Sequence, residues 1–145
     1  MEWLYVAGLF DGEGCVAMAK DTHNVVKLKI FISASYAPTR EALRSFLAQG
    51  GITTSEYSNI NKFGRSHNIE IQSWDGCEKF LNSVFPYVLE KRRHLEIAKE
   101  AIKLHKRVKA EGKGAGVRRI KDFDVLRHKL HALANKGPAL TKKWQ

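Results

Sequence analysis

Cysteine is almost missing from this chain: 145 residues hold two, Cys15 and Cys77, with no second cysteine near either. That spacing excludes a disulfide framework and a cysteine-built zinc cluster, and it predicts reduced thiols in an intracellular protein. No long apolar run exists either. The stretch from Trp3 to Phe10 is far too short to cross a bilayer, and it follows Met1-Glu2 rather than a basic segment, so neither a membrane span nor a secretory leader is expected. "GKGAG", residues 112 to 116, lacks the Gly-Lys-Ser/Thr ending of a phosphate-binding loop and follows no strand. It reads as a flexible joint, and no small-molecule substrate is indicated. His128 and His131 lie three apart on a helical stretch, but no third metal ligand accompanies them.

Acidic residues are also in short supply, 15 against 25 Lys and Arg, for a formal charge of +10. The deficit is local. Residues 1–85 hold 8 basic and 9 acidic side chains, whereas residues 86–145 hold 17 and 6. A polyanionic partner is implied, and the second part of the chain carries the charge. The length suits one domain with a proper core.

What is present is a regular alternation of patterns. A short apolar helix from Trp3 gives way after Gly14 to two strands, "CVAMAK" and "NVVKLKIFISAS", joined by "DTHN". In the second, Leu28, Ile30 and Ile32 face one way and Lys27, Lys29, Phe31 and Ser33 the other. Pro38-Thr39 opens a helix that Gly50-Gly51 closes. A second ribbon, "ITTSEYSNINK" and "SHNIEIQSW", flanks "KFGR". Ser73 or Asp75 then caps a third helix, Pro86 interrupts it, and "YVLEKRRHLEIAKEAIKLHKRVKA" is expected as one long basic helix. A last helix is expected from about Val117 to Asn135. The prediction is an α+β chain in which four antiparallel strands place one greasy face under helices and one polar face outward.

The first helix is costly. Gly8 and Gly12 each weaken it by about 1 kcal/mol relative to alanine, yet they stack four residues apart, with Leu4 on the same stripe and Ala7 and Asp11 at its flank. A stripe nearly bare of side chains lets two helices approach closely. With one such helix per chain, the natural partner is the same helix of a second copy across a two-fold axis. Both copies of Glu13 would then meet, and adjacent carboxylates repel unless a cation separates them. Mg²⁺ is the hard, oxygen-seeking candidate. The competing reading is that "DGEG" is only a helix end and turn.

The longer string "VAGLFDGEG", Val6 to Gly14, resembles the signature of the LAGLIDADG homing endonucleases. The two hairpins separated by a helix, "GGI" before the third strand and "FPYVLEKRR" after the third helix extend the resemblance over roughly residues 3–105. It implies the αββαββα fold, with a four-stranded antiparallel DNA-binding sheet and extra C-terminal helices. Residues 1–110 would form the core and residues 111–145 a basic helical extension of the same domain. One copy of the motif implies a homodimer.

By position, the resemblance makes Glu13 the metal-binding acid with the backbone carbonyl of Gly12 beside it, holding two or three Mg²⁺ per dimer, and makes Lys91 the basic residue near the active site. Leu4, Ala7, Gly8, Asp11 and Gly12 form the expected dimer interface. Glutamate at position 13 is one methylene longer than the family's aspartate. The glutamine that orients water in some relatives is missing, leaving that role vacant or with Ser33, Ser35 or Gln72. On the polar sheet face, Lys20, Lys27, Lys29, Tyr57, Asn59 and Asn61 are candidates to read DNA. Lys62, Arg65, Asn68, Glu70 and Gln72 join them, since such amides and cations suit base edges and a ribbon fits the major groove. Three roles are compatible with the resemblance. They are a Mg²⁺-dependent endonuclease cutting both strands of a long pseudo-palindromic site, an RNA-binding maturase, and a non-catalytic DNA-binding regulator.

Overall fold

The computed structural model describes residues 1–62, 64–112 and 119–134. Helix α1 (Trp3–Glu13) runs into the hairpin β1 (Gly14–Lys20) and β2 (Val26–Ser33). Helix α2 (Ala37–Gln49) follows, then the hairpin β3 (Ser55–Asn61) and β4 (Gly64–Ile71). Helices α3 (Trp74–Val84), α4 (Arg92–Glu111) and α5 (Ile120–Ala134) complete the order. The strands form one antiparallel sheet in the order β1-β2-β4-β3. The α+β class and the αββαββα order are as the sequence predicts.

Alternation sorts the sheet. Val16 and Met18 on β1, Val26 to Ile32 at every second position on β2, and Ile69 and Ile71 on β4 are buried against the helices. Helix α1 buries Val6, Ala7 and Phe10 completely. Phe10 meets Phe80 of α3 edge to face at 5.6 Å, and Trp3 meets Phe46 of α2 at 4.9 Å. Burying one large apolar side chain contributes roughly 1.5–3 kcal/mol, so this inner face alone offsets the cost of two glycines. Gly14 is required for a different reason. A Cβ there would stand 2.1 Å from Cδ2 of Phe10, too close for any side chain where strand β1 leaves the helix.

Among the boundaries that differ from expectation, two have a visible cause. Strand β2 stops at Ser33 because Arg40 donates from Nη1 to the carbonyls of Ala34 and Ser35, both at 2.7 Å, and turns the chain into α2. Helix α4 begins at Arg92 rather than Tyr87. The backbone amides of Leu89 and Lys91 point instead at the carboxylate of Asp11, at 2.8 and 3.1 Å, so residues 87–91 fold as a turn. Ser73, one of the two expected caps, accepts from the amide of Gly76 at 3.0 Å.

Helix α5 docks through Phe123, Leu126 and Leu130, which belong to the same core as the sheet. Lys20 of β1 donates to Asp124 of α5 at 2.8 Å, and that hydrogen bond, more than burial opposes it, holds the Asp124 carboxyl below its usual range. The expected helix ends at Val117 and Asn135, and most of the joint at 112–116, lie outside the described residues.

Candidate active site and nucleic-acid interface

The C-terminal end of α1 and the turn before α4 are clasped together. Asp11 receives the two amides named above, and in return Lys91 sends its ammonium to the carbonyl of Phe10 at 3.2 Å, over the Phe10 ring at 5.8 Å. A cation suits a helix C-terminus, where unpaired carbonyls gather negative charge. Lys91 also stands near Cys15, whose thiol burial pushes up and Lys91 partly restores, and near His94, which burial and then Lys91 push down. Asp11 thus acts within its own chain, although its carboxylate borders the exposed stripe of α1. Asp11→Ala removes two hydrogen bonds to a charged acceptor, and is expected to cost about 2 kcal/mol in urea unfolding at fixed protein concentration.

Glu13 ends α1 and is exposed, as are Gly12 and Gly8. A Cβ built on either glycine meets nothing within 4 Å, so the stripe opens onto empty space. Leu4 beside it is 61% exposed. Ala7 is a correction to the expected interface. It is fully buried against the core, because positions 3, 7 and 10 share the inner face of α1 while 4, 8 and 12 share the outer one.

Glu13 also lines an open cavity of ≈ 440 Å³ together with Tyr5 and Leu9 of α1, Ser33 to Tyr36, Thr39, and Arg65 to His67. Of the three candidates for orienting water, Ser33 and Ser35 share this cavity. Gln72 does not. Its side-chain amide goes to Glu70 at 2.7 Å and Ser55 at 3.5 Å.

Among the described residues, no three His, Cys, Asp or Glu side chains cluster as a metal cage. One chain offers the exposed Glu13 carboxylate with the end of α1 beside it. Such a donor set, hard and oxygen-only, suits Mg²⁺ when two copies contribute to one centre.

The outer sheet face is assembled by register. Lys27 and Lys29 pair with Ala19 and Ala17, so two small residues of β1 leave the lysines unshadowed. Tyr57 and Asn59 oppose Asn68 and Ser66, and the Asn59 amide donates to the Tyr57 hydroxyl at 3.0 Å. Asn61 is the last residue of β3, and Lys62 sits in the turn beyond it.

Four expected members of this face behave otherwise. Lys20 falls in step with Val16 and Met18 on the helix-covered side, where Asp124 claims it. Arg65 is opposite Ile60 and in step with Ile69 and Ile71, so it leaves by the helix side and reaches the Glu13 cavity. Asn68 and Glu70 do face outward but are only 5% and 9% exposed. Asn68 accepts from the Ser33 hydroxyl, and Glu70 accepts from Gln72. Both lie on β4, between β2 and β3, where neighbours on either side cover them.

Arg40, Tyr36, Thr39, His67 and Leu89 join the site's surroundings without having been singled out. Only Arg40 left a local signal, a cation at the first turn of α2 within reach of the loop it pins.

No family model matches the chain, and no curated protein matches its sequence. Solved structures match its fold. The homing endonuclease I-CvuI, in complex with its target in the presence of 2 mM Ca, is similar with a TM-score of 0.64 at 16% identity, over 90% of this chain and 80% of that one. The archaeal intron-encoded homing endonuclease I-Vdi141I, complexed with DNA, gives 0.66 at 16% identity, over 90% and 82%. The LAGLIDADG meganuclease I-AabMI, bound to uncleaved DNA, gives 0.59 at 21% identity, over 83% of this chain but 42% of that one.

Proposed function

We propose that this chain, which has the LAGLIDADG homing-endonuclease fold, acts as a homodimer that binds long double-stranded DNA and hydrolyses a phosphodiester in each strand with Mg²⁺. The observation that carries this reading is the end of α1. An exposed acid, Glu13, terminates a helix whose outer stripe is bare, and Lys91 is clasped to the same helix end. A protein that only bound DNA would gain nothing from exposed carboxylates placed to meet beside phosphates.

In the dimer the two Glu13 carboxylates and the Gly12 carbonyls would hold the metal, with work proceeding inside the cell. Mg²⁺ so held supplies charge stabilisation at the scissile phosphate and a more acidic attacking water. The remaining parts belong to the chain. An ammonium has three donors, and Lys91 gives one to Phe10, which fixes the side chain and leaves the others for a phosphate. The clasp to Asp11 sets where that ammonium stands. Lys27, Lys29, Tyr57 and Asn59 on the outer face supply donors and acceptors for base edges, as a ribbon in the major groove requires.

The test is a supercoiled plasmid library carrying candidate sites, incubated with the protein with and without Mg²⁺. Linear product only with Mg²⁺ supports the reading, and binding without cutting at every metal concentration refutes the catalytic part. A second expectation concerns Lys91. Lys91→Met should slow single-turnover cutting at saturating protein by roughly a hundredfold, the scale of losing one charge-stabilising donor. DNA affinity should change only a few-fold, and Lys91→Arg should recover part of the rate.

A further inference from the structure

Leu89 is 80% exposed, yet it is not on a loose segment. Its amide is held by Asp11 at 2.8 Å, and its neighbour Val88 is fully buried. A rigidly presented leucine in water needs a reason. A helix turns about 100° per residue, so the Gly8–Gly12 stripe of α1 has Leu4 and Asp11 on one flank and Tyr5 and Leu9 on the other. Leu89, tethered to Asp11, stands on the first flank. The second flank borders the ≈ 440 Å³ cavity, whose apolar walls are Tyr5, Leu9 and Tyr36, with Thr39 beside them.

The dimer proposed above requires both Glu13 residues at one end, so its two-fold axis must run along α1, and the inference rests on that reading. Half a turn about such an axis keeps every residue at its height and sets the Leu4–Asp11 flank of one copy against the Tyr5–Leu9 flank of the other. An antiparallel pair would set like flanks together instead. Asp11 lies between Leu9 and Glu13 in height, so Leu89 arrives level with the cavity.

We propose that Leu89 of each protomer inserts into the other protomer's cavity between α1 and the start of α2. The contact occurs twice, as isologous symmetry demands. Because Glu13 lines the same cavity, the inserted leucine also displaces water from the flank of the paired carboxylates. The site is therefore incomplete without the second copy.

Two substitutions test this in the full chain by sedimentation velocity. Leu89→Lys changes an exposed side chain, and Thr39→Asp places an acid in the first turn of α2, where the helix dipole favours it, so both variants should fold, as circular dichroism will check. Each alone should weaken the dimer at least tenfold. An equimolar mixture should recover wild-type association, because the heterodimer has one introduced lysine facing one introduced aspartate and one native contact. Wild-type association of either single variant, or no recovery in the mixture, overturns the proposal while leaving the dimer intact. A monomeric wild type overturns the dimeric reading itself, and this inference with it.

Discussion

Glu13→Gln is expected to reduce DNA cutting at saturating protein by on the order of a thousandfold or more, while leaving DNA bound. Glutamine keeps the length and hydrogen-bonding reach of the side chain but removes the charge a hard cation requires. Glu13 is exposed in the single chain, so the exchange breaks no internal contact that would unfold it. Binding in metal-free buffer should hold or tighten, because two negative charges leave the neighbourhood of the phosphates. Cutting is measured in single turnover on a fixed target, so that weakened binding cannot imitate lost chemistry. Cutting at the wild-type rate would remove Glu13 from the reaction and leave only the fold standing.

Gly8→Leu should have opposite effects on the monomer and on the assembly. Nothing stands within 4 Å of a Cβ at position 8, so a single chain accommodates the side chain and its helix gains close to 1 kcal/mol of propensity. In the proposed dimer the same side chain would enter the space the other helix needs. Overpacking costs about 1–3 kcal/mol per site, and symmetry applies it twice, so association should fall at least about thirtyfold. Sedimentation should find a monomer, thermal denaturation an unfolding transition no lower than that of a dissociated wild type, and the nuclease assay no cutting. A variant that remains dimeric would show that α1 is not the meeting surface. Because one monomer brings only one Glu13, loss of cutting here also tests the shared site independently of Glu13→Gln.

Much of the fold was legible because periodicity is local. The alternation through Lys27 to Ser33 gave the two sheet faces, and the four-residue spacing of Gly8 and Gly12 gave the bare stripe. What escaped depends on distant partners. Helix α4 looks continuous from Tyr87, since apolar spacing carries no trace of a carboxylate at position 11 that takes two of its amides. Charge alone puts Lys20 on the polar face, yet its parity places it with Val16, and Asp124, far along the chain, is what makes that placement tolerable. Arg65, in the string "KFGR", is expected on the polar face together with its neighbours. Once β4 begins at Gly64, parity sends it to the opposite side. Ala7 shows the resolution limit of a stripe drawn on one short helix, as a single step of rotation separates the flank from the core.

The clasp between Asp11 and residues 89–91 also has a meaning in time. Its two halves are separated by most of the domain, so the end of α1 stays unfastened until nearly all of residues 1–91 has been synthesised and folded. Closing so long a loop delays the contact relative to local hairpins and helices. An unfinished chain therefore carries Glu13 at a helix end that is not yet clasped, with Lys91 not yet in place. On the proposed function, competence to meet a second copy and competence to cut would both wait for this closing step.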